Sequence, residues 1–210
     1  MSTACDVCPE FFKRFSACPT VPFSDMSERP AEFMISLFMA VLSSTQVFDI
    51  ILMVYLAGTK SNRIHVLIAY LTPVIITSQV LKPYFQDPRP ALSCIHGYGM
   101  PSGHSTAAGA VFVTAITLYL QKVISSFDLA LLYGIMMPVQ AYSRIYLHYH
   151  SEAQVLSGFS LGATVAMGLY LIFPLLPDQQ ELSQRVYLNE MQEHSSPMNV
   201  PNGRCESLMV

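Results

Sequence analysis

Charge is scarce in this chain. Only 12% of its 210 residues are Asp, Glu, Lys or Arg, 52% are apolar, and the mean hydropathy is +0.41. A soluble domain carries about 25% charged residues, so the composition places the chain in a bilayer. A basic stripe is also missing: the net charge is -3, the pI is near 6.0, and the few Lys and Arg are scattered, which leaves no role for a nucleic-acid partner. Cysteine comes as an odd five, and helices packed in lipid need no disulfide framework. Cys5 and Cys8 form a CxxC, with Cys18, Cys94 and Cys205 farther off, but a zinc site needs four ligands at tighter paired spacing, so no metal is expected. No small-residue cleavage site follows the first apolar run, and residues 1–30 precede it, so that run is expected to be retained rather than removed as a leader.

Long apolar runs are abundant. They fall at about 33–57, 64–81, 105–121, 127–142 and 153–176, and a helix needs about 20 mostly apolar residues to cross the hydrocarbon core. The expected fold is all-α, a polytopic transmembrane helical bundle of about five spans over residues 31–176. A flexible or interfacial arm is expected at 1–30 and a polar tail, rich in Gln, Glu, Ser, Asn and Pro, at 177–210. Most connections are short. Residues 82–104 are the exception, and long loops in compact chains are usually functional.

Three segments on these connections carry chemistry: Lys82 to Pro90, Pro101-Ser102-Gly103-His104, and Ser143-Arg144 followed by His150. Each span carries the chain across the bilayer, so two crossings lie between His104 and Arg144. All three segments are therefore expected on one face; an odd count would have split them. Lys60, Arg63 and Lys122 lie in short loops on the other face and favour that face being cytoplasmic, which turns the site toward the lumen or exterior.

Lys82 and Arg89 are seven residues apart, so a short interfacial helix would point both toward one phosphate, although Pro83 and Pro88 limit its regularity and Pro90 ends it. As mere headgroup anchors they would need no such partner. Ser102 and Gly103 open a helix whose first N–H groups point toward bound anions, and His104 beside them is placed to protonate a leaving oxygen. A plain helix start capped by Ser102 explains the serine and glycine without using the histidine. Arg144 offers a planar donor fork suited to phosphate oxygens. His150 and Gln154 are expected on one helix face, where the Gln154 carbonyl accepts the imidazole N–H and leaves the other nitrogen free to attack phosphorus. Gly158 and Gly162 form a GxxxG on that face, simplest as a packing device. His65, His96 and His148 are read as interfacial, as are Tyr142, Tyr146 and Tyr149. Asp49, near the far end of the first run, is given no catalytic role and is expected to reach the opposite headgroups; Glu152 is expected to face away from His150.

Together, Lys82-x6-Arg89-Pro90, Pro101-Ser102-Gly103-His104 and Ser143-Arg144-x5-His150 resemble the signature of the type 2 phosphatidic acid phosphatase superfamily, which includes glucose 6-phosphatases, bacterial undecaprenyl diphosphate phosphatases and vanadium haloperoxidases. The resemblance covers about residues 60–176. It implies a haloperoxidase-like helical core with no required metal or cofactor, His150 as nucleophile through a phosphohistidine, His104 as general acid, and Lys82, Arg89, Ser102, Gly103 and Arg144 around the transferring phosphoryl group. The family usually has Asp where this chain has Gln154. Tyr98-Gly99-Met100-Pro101-Ser102 and the run from Ser143 through His150 to Gly158 look most like the dolichyl diphosphate phosphatase branch, where Gln is the usual residue at that position; Gly103 replaces that branch's serine. The resemblance implies hydrolysis of dolichyl diphosphate at the lumenal face of the endoplasmic reticulum, recycling the carrier for protein glycosylation. Two alternatives stay open: the same chemistry on phosphatidate, a sphingoid phosphate or another isoprenyl diphosphate, and a silent membrane protein that binds lipid phosphates or scaffolds glycosylation enzymes.

Overall fold

A computed structural model describes residues 27–91, 93 and 97–175. All five cysteines, His96, the tail expected at 177–210 and nearly all of the arm expected at 1–30 lie outside the described residues. Every regular element within them is helical: α1 (Pro30–Ser44), α2 (Gln46–Leu56), α3 (Lys60–Ile75), a π-helical turn (Ile76–Leu81), α4 (Lys82–Phe85), α5 (Gly103–Leu120), α6 (Phe127–Tyr146) and α7 (Glu152–Ile172). Four of them start on a Ser or Thr whose side-chain oxygen accepts a first-turn N–H: Thr59, Ser102, Ser126 and Ser151. Such caps satisfy donors that the helix itself leaves orphaned.

The first apolar run, expected as one span over 33–57, is broken. α1 and α2 meet at Thr45 with a bend of 48°. The cause is local competition for the ladder. Ser44 Oγ donates to the Ala40 carbonyl at 2.8 Å and Thr45 Oγ1 to the Leu42 carbonyl at 2.9 Å, while Gln140 Nε2 from α6 inserts onto the same Leu42 carbonyl at 3.0 Å. Side chains intruding on the i→i−4 bonds bend helices in this way. The second run continues through the π-helical turn, so Lys60–Phe85 is effectively one 26-residue rod.

Among the described residues, three helical stretches, Lys60–Phe85, Gly103–Leu120 and Glu152–Ile172, are long and apolar enough to cross a membrane, and a fourth if the bent α1–α2 pair is one span. α6 has 20 residues, but Gln140, Ser143 and Arg144 are buried along it, so a hydropathy count sees less apolar character than its position inside the bundle allows. The architecture is that of a multi-pass membrane helical bundle.

α5 is the hub. It packs against α2, α3, α6 and α7, and small residues line most of its circumference. Its contact with α7 is backbone on backbone: a Cβ at Gly158 would overlap the Ser102 carbonyl, one at Gly162 the Thr106 carbonyl, and one at Gly109 the Phe159 carbonyl. The GxxxG of α7 thus lets it ride on the first two turns of α5, the close approach small residues permit in lipid. This fixes the His104 end of α5 against the His150 end of α7.

Candidate active site

The chain reverses between α6 and α7 at His148, whose backbone is left-handed at φ 57. The turn is closed by Tyr149 N–H and His150 N–H donating to the Arg144 carbonyl at 3.0 and 3.2 Å. His148 is left exposed, while Tyr149 and His150 swing inward and are 1% and 2% exposed. Tyr149, expected among the interfacial aromatics, is instead the floor of the site: the Arg144 guanidinium carbon stands 4.6 Å above its ring centroid. Tyr142 is exposed, as expected.

His150 is not on a helix. Ser151 caps α7, so the histidine sits just outside it, and the expected helical i,i+4 pairing is replaced by a capping box in which Gln154 N–H donates to Ser151 Oγ and Ser151 N–H to Gln154 Oε1. Gln154 still meets the ring, with Nδ1–H donating to Oε1 at 3.0 Å. On the other side Arg89 Nη1 stands 3.1 Å from Nε2 and donates to the Tyr149 carbonyl at 3.1 Å. Burial, with the positive charges of Arg89 and Arg144 next, pushes the His150 imidazole down to about 3, against the hydrogen bond to Gln154. The ring is neutral at physiological pH, with a lone pair on one nitrogen.

Lys82 and Arg89 do not share a helix. α4 ends at Phe85, Gln86 turns left-handed at φ 49, and residues 87–90 run on non-helically, pairing with 98–99 through a Pro88–Tyr98 bridge and a 2.7 Å bond from Gly99 N–H to the Asp87 carbonyl. Pro88 and Pro90 disfavour helical geometry at Asp87 and Arg89, which is why helical spacing fails here. The reversal nonetheless returns Arg89 to the site, where the charges of Arg89 and Arg144 both act on the Lys82 ammonium. Neither Lys82 nor Arg89 has an ion-pair partner among the described residues, and the buried Arg89 Nε has no hydrogen-bond partner there.

Ser102 is fully buried and its oxygen is occupied by Ser105, from both N–H at 3.4 Å and Oγ at 3.0 Å; its own N–H donates to the Gln154 carbonyl at 2.9 Å. The N–H groups of Gly103 and His104 have no partner among the described residues. A Cβ on Gly103 would lie 3.9 Å from Lys82 Nζ, which places the lysine over the start of α5. Gln46 Nε2 donates to the His104 carbonyl at 2.6 Å, and the His104 ring lies within the field of Arg144, His150, Lys82 and Arg89. Arg144, 1% exposed, donates from Nη1 to Ser43 Oγ at 2.5 Å.

The candidate site residues thus gather at one end of the bundle, from α4 and the loop after it, the start of α5, the end of α6 and the turn before α7. Asp49 belongs elsewhere and turns inward rather than toward headgroups: its carboxylate accepts from Gln140 Nε2 at 3.0 Å, Thr45 Oγ1 at 3.1 Å and Tyr133 Oη at 3.4 Å. Sequence reasoning missed Ser43, Gln46, Asp87 and Gly99. No local pattern marks these four; the Ser151-x-x-Gln154 capping box is present in the sequence but went unread. Among the described residues no three His, Cys, Asp or Glu side chains are grouped as metal ligands. The arrangement offers a neutral imidazole, a second histidine, three cations and a helix N-terminus converging on one space, the equipment for binding an anion and transferring its phosphoryl group.

Residues 63–177 match the PAP2 superfamily. The chain belongs to that family. A dolichyldiphosphatase from Saccharomyces cerevisiae is 34% identical over 118 residues, a match that spans 48% of each chain, so about half of that relative's length is covered. Among solved structures, a transmembrane PAP2 type phosphatidylglycerolphosphate phosphatase from Bacillus subtilis superposes with a TM-score of 0.55 at 20% identity, covering 77% of this chain and 92% of that one. At that identity the likeness speaks for the fold.

Proposed function

We propose that this PAP2 protein hydrolyses dolichyl diphosphate to dolichyl phosphate and phosphate through a phosphohistidine on His150, in the endoplasmic reticulum membrane with its site toward the lumen. One observation carries the reading: His150, neutral and held by Gln154 through Nδ1, presents Nε2 to Arg89 in a site ringed by Lys82, Arg144 and the first turn of α5. The choice of lipid is supported by the similarity to the yeast dolichyldiphosphatase. The lumenal orientation is supported by Lys60 and Lys122 at the opposite helix ends from Lys82 and Gly103.

In the first step the Nε2 lone pair attacks the terminal phosphorus and the P–O bond to the bridging oxygen breaks. With the negative charge of the bound diphosphate offsetting Lys82, Arg89 and Arg144, His104 carries a proton and gives it to the departing dolichyl phosphate. Lys82, Arg89, Arg144 and the N–H groups of Gly103 and His104 hold the equatorial oxygens, where charge builds in the transition state. Ser102 supports that cradle as the α5 cap. In the second step water attacks the phosphohistidine, His104 takes its proton, and the P–N electron pair returns to Nε2 as phosphate leaves.

Phosphate release from dolichyl diphosphate in detergent, with EDTA, tests this. The intact chain should release phosphate and His150→Ala should not. Parallel arms with phosphatidate, a sphingoid phosphate and farnesyl diphosphate separate the lipid classes. Equal or faster turnover of a monophosphate would move the substrate away from dolichyl diphosphate, and silence on every lipid with folded protein would leave a binder.

A further inference from the structure

The amide of Gln154 is saturated. Its Oε1 accepts from His150 Nδ1–H at 3.0 Å and from Ser151 N–H at 3.2 Å, while Nε2 donates to Asp87 Oδ2 at 2.6 Å and to the Pro88 carbonyl at 2.8 Å. A primary amide has two acceptor sites and two donor hydrogens, so no capacity remains. The fifth side is closed by Gly99, where any Cβ would overlap the amide itself. A flipped amide would put its oxygen against the Asp87 carboxylate and the Pro88 carbonyl, and its NH2 against the Ser151 N–H. That arrangement is repulsive at three contacts.

We propose that Asp87 is a positioning residue for the His150 nucleophile, acting through Gln154. The carboxylate dictates which end of the amide faces the imidazole. That fixes the proton on Nδ1 and the lone pair on Nε2, toward Arg89 and the phosphoryl site. When Nε2 bonds to phosphorus the ring becomes cationic with its Nδ1–H retained, and the negative charge of Asp87, relayed by the polarised amide, offsets that charge. The backbone reversal at Gln86 and the Pro88–Tyr98 bridge exist on this view to deliver a carboxylate to the back of Gln154.

The inference rests on His150 as nucleophile, and its tests separate from that reading. Asp87→Asn, isosteric and uncharged, is expected to lower kcat about 10- to 100-fold with KM little changed, the usual effect of losing such a supporting partner. Gln154→Asp alone places a second carboxylate against Asp87 and is expected to lose activity. Gln154→Asp combined with Asp87→Asn gives Nδ1 a carboxylate and that carboxylate an amide donor, and is expected to regain at least tenfold over either single variant. A purely structural role for Asp87 makes the two losses add. Full kcat in Asp87→Asn, or additive losses in the pair, overturns the proposal. Independently of any substrate, 15N-histidine NMR of His150 should show the Nδ1-protonated neutral tautomer in the intact chain and a mixture in Asp87→Ala; an unchanged single tautomer overturns it. An intact chain that turns over no lipid phosphate but shows these tautomers refutes the proposed function and leaves the positioning role standing.

Discussion

Substitution of Gly162 by alanine should separate two helices by a known amount. A Cβ there would stand 2.8 Å from the Thr106 carbonyl carbon and 3.1 Å from Ala110 N, closer still to the Thr106 oxygen. Carbon contacts sit at about 3.5 to 4.0 Å, so the carbonyl carbon alone requires α5 and α7 to part by about 1 Å and the nearer oxygen by more, and backbone cannot rotate out of the way as a side chain would. Overpacking of this kind costs about 1–3 kcal/mol. The functional effect should be larger in proportion, because α5 carries His104 and the Gly103 N–H while α7 anchors Gln154 and its hold on His150. A misplacement of about 1 Å in such a site costs about 100-fold. Gly168 is the control on the same helix, with nothing within 4 Å of its would-be Cβ; alanine there should be neutral or slightly stabilising by helix propensity. Thermal unfolding in detergent and kcat on dolichyl diphosphate read both effects. If Gly162→Ala matches Gly168→Ala in both, the close α5–α7 contact does not hold the site together.

Arg89→Met should raise the His150 pKa from about 3 toward its ordinary 6.5, since a cation that disfavours the imidazolium is gone; the rise is partial because burial is the larger cause and Arg144 and Lys82 remain, with His104 and the Gln154–Asp87 pair facing the same ring. NMR titration of His150 checks this, and a fall would contradict the sign. Ser43→Ala removes the hydroxyl that Arg144 Nη1 donates to, a charge-assisted bond worth about 1.5–3 kcal/mol; kcat/KM should drop about tenfold or more, and Ser43→Thr, which keeps the hydroxyl, should recover most of it. Ser151→Ala deletes the α7 cap at about 1 kcal/mol and loosens Gln154, so it should lower both the unfolding temperature and kcat. Asp49→Asn, whose carboxylate bonds Thr45, Tyr133 and Gln140 and none of the gathered residues, should leave kcat within about twofold while lowering the unfolding temperature through the α1–α2 bend.

The helical spans were legible because apolar runs of bilayer length admit few other structures, and the single-faced gathering of Lys82, His104, Arg144 and His150 followed from counting crossings. The break at Thr45 was not, since nothing in an apolar run announces that Gln140, 95 residues away, will compete for its carbonyls. Arg89 stands 3.1 Å from His150 Nε2, but not by the expected route: a seven-residue spacing suggests a helix, whereas Pro88 and Pro90 disfavour helical geometry at the residues before them. Tyr149 looked like a headgroup aromatic because its burial under Arg144 depends on the left-handed turn at His148, which the residue type does not signal. Asp87 stayed hidden for a similar reason. Its partner, Gln154, lies 67 residues on, and the pairing exists only after the loop has folded back.

The most direct measurement of the central claim is to quench a reaction of dolichyl diphosphate labelled with 32P in its terminal phosphate under alkaline conditions, where phosphohistidine survives, and to map the label by peptide. Label on His150, absent from His150→Ala and removed by acid, is the result expected if this residue attacks phosphorus. Steady turnover by the intact chain with no labelled histidine, or with label and turnover retained in His150→Ala, would contradict it.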